Sequence, residues 1–160
     1  MKFEKISDWQ FAKDGVTNWC EYEDIKLPKR ATRYSAGYDI FAVDDIELYP
    51  GQTIKMPTGI RIDIDKDKFL GIFPRSGLGF KYRAQLDNTV GIIDADYYAS
   101  DNEGHIWVKI TNDSNEPDKV MRVKKGEAIC QGIILPYFKV DDDDATESRN
   151  GGFGSTTGLI

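Results

Sequence analysis

Apolar and polar residues alternate along much of this chain with the two-residue period of β-strands. The alternation is sustained in TIKMPTGIRIDI, which begins at Thr53, and it returns in HIWVKIT, which begins at His105. Because successive side chains of a strand point to opposite faces of a sheet, this pattern predicts strands with one buried face. The segments FLGIF and AICQGIILPYF contain longer apolar runs between Gly, Pro and charged residues, which predicts more fully buried strands.

Turn-forming segments separate these runs, and no long amphipathic helix is evident. YPGQ, NEPDK and KKGE combine Pro, Gly and Asn or charged residues, as tight turns commonly do. The sequence therefore predicts an all-β fold, a sandwich or barrel, with one short helical turn after PRSG. A chain of 160 residues with 40% hydrophobic residues is large enough for a single packed domain.

Shifts in composition mark the C-terminal end of this domain. Residues 1–140 are predicted to form the β domain, and the role of its N-terminal region, 1–29, is left open. Residues 141–148, DDDDATES, follow as an acidic linker with too few apolar side chains for a core. The final segment, 149–160, contains RNGGFGSTTG, whose glycines predict a flexible C-terminal arm. Such a segment is either a frayed tail or a strip of backbone N–H groups and hydroxyls suited to phosphate oxygens.

The charge of the chain narrows the possible classes of protein. A formal net charge of −6 and a pI near 4.8 argue against a general nucleic-acid or membrane-surface binder, since these need a basic face. Charges interrupt the apolar residues of the N-terminal segment, so we expect a cytoplasmic protein without a secretory signal. Cys20 and Cys130 are expected to be buried thiols, and one histidine, His105, is too few for a histidine-based metal site.

Five short segments contain polar residues that a β core does not need. In chain order they are AGYDIFA with Asp39, PRSGLG with Arg75 and Ser76, GIIDADY with Asp94, GEAICQ with Gln131, and GGFGST in the tail. Taken singly, each has an ordinary structural explanation, such as a turn or a turn-capping aspartate. Each also has a chemical one, because an arginine beside free N–H groups binds phosphate and a carboxylate after a buried strand can act as a general base.

In this order the five segments resemble the motifs of the trimeric dUTPase family, enzymes that hydrolyse dUTP to dUMP and pyrophosphate. The resemblance covers about Ala36 to Gly158. It implies a jelly-roll-like β-barrel or sandwich that assembles as a homotrimer with active sites at the subunit interfaces. It also implies that the glycine-rich arm closes over a site on a neighbouring subunit.

The resemblance implies roles for individual residues as well. Asp94 is similar to the aspartate that orients and deprotonates the attacking water, and Asp39 to a residue that supports Arg75. Tyr97 is similar to the ring packed on the deoxyribose, and Asn88 to a side chain that contacts uracil within a β-hairpin. The implied substrate-binding positions are Arg75, Ser76, Gly77, Asn88, Gly91, Ile93, Tyr97, Gln131, Arg149, Phe153, Gly154, Ser155 and Thr156.

Mg²⁺ is the cofactor that the resemblance implies, held by the substrate phosphates and water without direct protein ligands. The chain departs from the family pattern at Ala128, where the fourth motif usually has arginine, and in the short spacing between Arg149 and the double glycine. The segment YASDNEGH, from Tyr98 to His105, is longer than the usual connection after the third motif. Two alternatives stay open: a dCTP deaminase, which is a structural relative, and a dUTPase that also binds a regulatory protein partner through this longer segment.

Overall fold

The computed structural model describes residues 1–147, and these residues form an all-β architecture with short helical connections. All strand pairings within this range are antiparallel. Twelve strands are present in it: Lys2–Lys5 (β1), Lys29–Arg30 (β2), Tyr38–Phe41 (β3), Ile46–Leu48 (β4), Thr53–Pro57 (β5), Ile60–Asp63 (β6), Lys68–Pro74 (β7), Ala84–Leu86 (β8), Gly91–Asp94 (β9), Trp107–Asn112 (β10), Met121–Val123 (β11) and Ala128–Pro136 (β12).

In residues 1–147 the strands assemble into four sheets. The largest sheet has the strand order β2-β3-β12-β7-β9, and the next has the order β5-β10-β8. Two further pairs, β1 with β6 and β11 with β4, complete the set. Since most neighbouring strands are not consecutive in the chain, the connections cross from sheet to sheet, as in a jelly-roll-like fold.

The predicted alternation of buried and exposed positions is confirmed in the strands that it defined. The segment that begins at Thr53 forms β5 and β6, and Met56, Ile60 and Ile62 are almost fully buried. Val108 and Ile110 of β10 are buried in the same continuous core. Complete burial of one such side chain stabilises a fold by about 1.5–3 kcal/mol before its entropy cost is counted.

The helical segments are short, and the sequence predicted only one of them. The helix Ser76–Tyr82 (α2) begins inside PRSG, slightly before the predicted position of the helical turn, which is after PRSG. The helix Asp8–Lys13 (α1) was not predicted, although the Ser7 hydroxyl caps it by accepting a hydrogen bond from the N–H of Gln10 at 3.1 Å. Six residues are too few to show a helical period in the sequence. Three 3₁₀ turns complete the helical segments of the described range, at Val16–Asn18, Tyr22–Asp24 and Ala95–Ala99.

One face of the five-stranded sheet packs on the core. We call the opposite face the outer face; its apolar side chains are only partly covered by residues 1–147. The strand register places Phe69 and Phe73 of β7, Ile133 and Leu135 of β12, and Ile92 of β9 on the outer face. Ile92 is 50% exposed, and the other four are half-buried. The prediction of a more fully buried strand therefore describes the first half of β12 better than the second, whose apolar side chains are half-buried. An apolar run indicates that side chains must leave water, but it does not indicate which surface covers them.

The N-terminal region, whose role the sequence left open, is a folded part of the domain. Strand β1 pairs with β6, with Lys2 opposite Asp63 at one end and Lys5 opposite Ile60 at the other. After α1, the ring of Tyr22 packs edge-on against a ring of that helix, and its hydroxyl donates a hydrogen bond to the carbonyl of Ile6 at 2.8 Å. The first residues of the chain therefore add a strand and a helix to the β domain.

Residues 98–105, which we call the 98–105 loop, are tied to this N-terminal region. The carboxylate of Glu103 accepts hydrogen bonds from the backbone N–H of Ser7 at 2.8 Å and from its hydroxyl at 2.6 Å. The Nδ1 atom of His105 lies 2.6 Å from the carboxylate of Asp14. Two segments that both depart from the family pattern are thus partners of each other.

The pKa of His105 is expected to lie below the ordinary value for histidine. Its Nε2 accepts a hydrogen bond from the N–H of Gly59 at 3.0 Å, so the ring proton sits on Nδ1, facing Asp14. Burial lowers the pKa of His105 and outweighs the effects of Asp14 and Glu103, which raise it. The unfolded chain then binds a proton that the folded chain does not, so stability is complete above the ordinary pKa of about 6.5 and falls as the pH drops below it.

NMR titration of the ring checks this directly, because the chain contains a single histidine. In parallel, chemical denaturation at a series of pH values should show the free energy of unfolding falling below pH ~6.5 in the wild type, with a smaller fall in a His105→Gln variant. A ring that titrates at or above the ordinary value would contradict this expectation.

Candidate active site

An ion pair joins the first two of the five polar segments. The Nε atom of Arg75, just after β7, lies 3.1 Å from Oδ1 of Asp39 on β3. The Asp39 side chain is 18% exposed and that of Arg75 is 41% exposed, so the pair sits at the border of the solvent. The two residues that the resemblance pairs are therefore in contact. A guanidinium group has five N–H donors, so this pair orients Arg75 without exhausting its donors.

Gln131 lies next to this ion pair on the outer face. It stands opposite Asp39 on one neighbouring strand and opposite Phe73 on the other. Its Nε2 atom donates a hydrogen bond to the carbonyl of Pro74 at 3.1 Å. A Cβ atom on Gly37 would overlap Oε1 of Gln131, so a glycine is required at position 37 for the amide to lie there.

A groove of about 640 Å³ opens beside these residues. Its lining includes the ion pair, the start of α2 with Ser76 and Gly77, and residues Gly126 to Ala128. In the described part of the chain, no side chain caps the first turn of α2. The N–H groups of that turn therefore have no partner within the helix and can donate to an anion in the groove.

Arg122 also lines the groove, although the sequence did not single it out. It lies on β11, and its Nε atom is 2.6 Å from Oε2 of Glu47 on β4. Ala128, which stands where the family pattern has arginine, lines the same groove. The sequence around Arg122 resembles that of any exposed strand, so it gives no signal of a site. Strand β11 packs beside the groove, and Arg122 therefore adds a second guanidinium group to the groove lining.

Asp94 lies at the other end of the sheet. It ends β9 and immediately precedes the 3₁₀ turn Ala95–Ala99. Its position opposite Phe69 of β7 puts its half-buried side chain on the outer face, in the same row as Leu135. The structure thus places a carboxylate among apolar side chains at the end of a rigid strand.

The predicted β-hairpin around Asn88 is wrong, because its two strands pair with different neighbours. Strand β8 pairs with β10, whereas β9 pairs with β7, so the turn between them connects two sheets. Asn88 is exposed in this turn, and its amide nitrogen lies 3.8 Å from the place where a Cβ on Gly91 would be. Ile93 alternates with Asp94 and packs against the core, so only its backbone is available for a ligand.

Tyr97, the predicted sugar-contacting ring, is largely enclosed, with 4% of its surface exposed. Its hydroxyl donates a hydrogen bond to the carbonyl of His105 at 2.8 Å. The same hydroxyl accepts one from the side-chain amide of Asn102 at 2.8 Å. A sugar could therefore contact only the narrow exposed edge of the Tyr97 ring, whose hydroxyl is fixed by His105 and Asn102.

Gln131 and Asp94 lie at opposite ends of the outer face. Phe73, opposite Gln131, and Phe69, opposite Asp94, are four positions apart along β7. With a rise of about 3.3 Å per residue and strands about 4.8 Å apart, Gln131 and Asp94 are roughly 16 Å apart along the sheet. The predicted residues of the described chain therefore form two groups, the arginine half-site (Asp39, Arg75, Ser76, Gly77, Gln131) and the aspartate half-site (Asn88, Gly91, Asp94, Tyr97). The aspartate half-site follows β9 from the turn before it, near the level of Phe73, to the 3₁₀ turn after it.

The other predicted site residues, those of the C-terminal arm, lie outside the described residues: Arg149, Phe153, Gly154, Ser155 and Thr156. Within residues 1–147, no three His, Cys, Asp or Glu side chains converge in a way that could hold a metal ion. In the same range, no helix has both the length and the apolar character needed to cross a membrane. Cys20 and Cys130 are free and buried, as predicted, and burial raises the pKa of both thiols.

The fold and the two half-sites define a jelly-roll-like protein with an arginine-lined groove and a separate carboxylate. A family model described as dUTPase matches residues 23–157. The deoxyuridine 5'-triphosphate nucleotidohydrolase of Lactococcus lactis is 39% identical over 135 residues, which cover 82% of this chain and 88% of that protein. The chain belongs to the dUTPase family.

Solved structures agree with this assignment. The dUTPase of Streptococcus mutans superposes with a TM-score of 0.68 at 32% identity, covering 88% of this chain and 99% of that one. A dUTPase from phage phi11 of S. aureus has the same fold, with a TM-score of 0.62 at 21% identity over 78% of this chain and 92% of that one. The family model begins at residue 23, so β1 and α1 lie outside it.

Arg122 is expected to strengthen anion binding in the groove. The Arg122→Ala variant should bind inorganic tripolyphosphate about five- to tenfold more weakly than the wild type, because it loses one charge-assisted donor. Isothermal titration calorimetry at low salt measures the change. Lys124→Ala is the matched control, since Lys124 pairs with Asp45 at 2.7 Å and does not line the groove. An equal loss in both variants would show a general charge effect and contradict a role for Arg122.

Proposed function

We propose that this protein hydrolyses dUTP to dUMP and pyrophosphate through a water molecule that Asp94 activates. The observation that supports the proposal most is the position of Asp94, a half-buried carboxylate at the end of β9 on the same face as the arginine half-site. A carboxylate on a rigid strand can orient a water molecule and accept its proton as the new bond to phosphorus forms. Membership of the dUTPase family supports the same reaction.

The arginine half-site would bind the triphosphate. Arg75, oriented by Asp39, offers a planar fork of donors that matches phosphate oxygens. The Ser76 hydroxyl and the Gly77 N–H line the same groove, and Arg122 adds a second positive charge. These donors would stabilise the negative charge that gathers on the departing pyrophosphate.

Mg²⁺ is the cofactor that the family resemblance implies, and the donor set of the chain fits an ion held by the substrate. Residues 1–147 offer no group of three acidic, histidine or cysteine ligands, whereas phosphate oxygens and water are ligands that Mg²⁺ prefers. When bound, the ion would neutralise phosphate charge and favour the departure of pyrophosphate. A structural Mg(II) ion is described for the phage phi11 dUTPase, a protein with this fold.

The nucleoside would be recognised by the aspartate half-site. Asn88 and the backbone from Gly91 to Asp94 would contact the uracil edge, and polar groups matched to uracil would be left unpaired by cytosine. The exposed edge of Tyr97 would pack on the deoxyribose and exclude a 2′-hydroxyl. By resemblance, Phe153 of the C-terminal arm would cover the base, while Arg149, Gly154, Ser155 and Thr156 would complete the phosphate contacts.

We infer that the protein acts as a homotrimer in which neighbouring subunits share each site. Gln131 and Asp94 of one chain are roughly 16 Å apart, which is too far for the phosphate groups of one substrate to meet both. The half-buried apolar side chains of the outer face lie between them and give a second subunit a surface to cover. Docking of another copy there would bring the aspartate half-site of one chain to the arginine half-site of the next.

The proposal is distinguished from the two alternatives by substrate and by surface. Purified protein should release pyrophosphate from dUTP and no ammonia from dCTP, whereas a deaminase would release ammonia from dCTP and no pyrophosphate from dUTP.

The second alternative, a regulatory protein partner bound through the 98–105 loop, is less favoured by the contacts of that loop. Glu103 and His105 contact Ser7 and Asp14 within the same chain, which leaves less of the loop for a protein partner. The cytoplasm stays the expected location, supported by two buried free thiols that a reducing compartment would preserve.

Replacement of the proposed base should separate binding from chemistry. Asp94→Asn should lower turnover of dUTP by about 10²-fold or more while affinity for a non-hydrolysable dUTP analogue stays within about threefold. Rapid measurement of pyrophosphate release and calorimetric titration provide the two numbers. Asp101→Asn, the same change seven residues along the chain, serves as control and should keep normal turnover. Near-normal turnover in Asp94→Asn would remove Asp94 from the mechanism.

Sharing of half-sites between subunits predicts complementation of two inactive variants. Co-expressed Asp94→Asn and Arg75→Ala chains should regain activity at about a quarter of the sites, since random mixing pairs an intact Asp94 with an intact Arg75 at that frequency. The control is co-expression of Asp94→Asn with the double variant Arg75→Ala/Asp94→Asn, which offers no intact Asp94. If native mass spectrometry shows mixed trimers that stay inactive, the shared site is wrong for this protein.

A further inference from the structure

The hydroxyl of Tyr97 is held by two groups of the 98–105 loop. It donates to the His105 carbonyl and accepts from the Asn102 amide, both at 2.8 Å. Asn102 is itself fixed, because its Oδ1 accepts a hydrogen bond from the N–H of Gly104 at 3.2 Å. Because 4% of the Tyr97 surface is exposed, these buried contacts determine where the exposed edge of the ring lies.

The backbone of the 98–105 loop folds tightly around Tyr97. The N–H of Ser100 donates to the Tyr97 carbonyl at 3.0 Å, and that of His105 donates to the Asn102 carbonyl at 3.0 Å. Gly104 adopts φ +71°, and a Cβ there would come within 2.8 Å of the Tyr97 carbonyl oxygen. The loop therefore has the shape of a close-fitting collar around this residue.

The N-terminal region anchors the collar from outside. Ser7 donates two hydrogen bonds to Glu103, and Asp14 accepts one from the ring of His105 at 2.6 Å. On the opposite side of that ring, Nε2 is held by the N–H of Gly59 at 3.0 Å. His105 is fully buried, so the collar cannot shift without disturbing α1 or the turn before β6.

The residue after Tyr97 is fixed by a separate set of contacts. The Tyr98 hydroxyl donates to Glu4 on β1 at 2.6 Å, and Glu4 lies 3.2 Å from the guanidinium of Arg61 on β6. The Arg61 guanidinium also stacks over the Tyr98 ring, 4.4 Å from its centre. Strand β1 therefore holds the 3₁₀ turn Ala95–Ala99 while α1 holds the loop that follows it.

We propose that the 98–105 loop and the N-terminal region together position Tyr97: Asn102 of the loop holds the hydroxyl directly, and Asp14 of the N-terminal region holds the loop through His105. The proposal rests on the proposed function, in which the edge of Tyr97 excludes a 2′-hydroxyl. A displacement of the ring by about 1 Å would open space beside the sugar. Ser7 and Asp14 lie outside residues 23–157, which the family model matches, whereas Asn102 and His105 lie inside them. Asn102 and Asp14 then determine sugar selectivity without touching the substrate.

The test compares kcat/KM for dUTP and for UTP in Asn102→Ala, Tyr97→Phe and the double variant. Each single variant should lower the dUTP-to-UTP ratio by about five- to tenfold, because each removes the hydrogen bond between Asn102 and the Tyr97 hydroxyl, and Tyr97→Phe also removes the one to the His105 carbonyl. The double variant should lower the ratio no further than Tyr97→Phe alone, since the Asn102 contact is already lost there and the two changes are not additive. Thermal unfolding and native mass spectrometry confirm that each variant is folded and assembled.

Asp14→Asn tests the anchor at a distance from the site, and Asp8→Asn is its matched control. Both change an aspartate of the same N-terminal helical segment, and Asp8 is exposed in the first turn of α1. Asp14→Asn should lower the ratio by about two- to fivefold, because the weakened pair still leaves Asn102 in place. Asp8→Asn should leave the ratio unchanged.

A wild type that hydrolyses dUTP, with an unchanged ratio in folded Asn102→Ala and Tyr97→Phe, overturns this proposal alone. A wild type inactive on dUTP overturns the proposed function, and the positioning role with it. Loss of activity on both substrates in equal proportion would show a purely structural role and also contradict the proposal. If Asn102→Ala fails to fold, the ratios of Tyr97→Phe and Asp14→Asn decide the question in the same way.

Discussion

Antiparallel pairing of β7 between β12 and β9 is the constraint on which the rest of the structure depends. The register sets Leu70 and Ile72 into the core, and it thereby sets the alternate residues of three strands onto the outer face. A slip of one residue would exchange these faces, burying Asp94 and Gln131 and exposing the core side chains. The burial of Leu70 and Ile72 therefore fixes the register, and the register in turn keeps the side chains of Asp94 and Gln131 on the outer face.

The same register links the candidate site to assembly. Polar residues stand at the two ends of the outer face, and apolar residues stand between them. A single chain would leave this apolar surface partly in water and its two half-sites apart. A second copy bound to the outer face would bury its apolar side chains and would also bring two half-sites together. Burial of the outer face and completion of the site would therefore occur in the same assembly step.

Much of the fold followed from local patterns. Alternation defined β5, β6 and β10, the PRSG turn marked the start of α2, and five ordered motifs identified the family. What local patterns could not supply was pairing at long range. The partners of β8 and β9, and the arrival of Arg122 in the groove, depend on which strands meet in space. The roles assigned to the arm, including those of Arg149 and Phe153, stay predictions.

The contacts of the N-terminal region also shape how the chain folds. Ser7 and Glu103 are 96 residues apart in the sequence, so their hydrogen bonds close one of the long loops of the molecule. Closing a loop of this length costs little more than closing one of half the length, but contacts of this kind form slowly. During synthesis β1 and α1 leave the ribosome before the residues that they contact, and they must wait for the chain beyond residue 103. Strand β12, Ala128–Pro136, leaves later still, so every residue of the collar around Tyr97 is available to a nascent chain before its largest sheet can be completed.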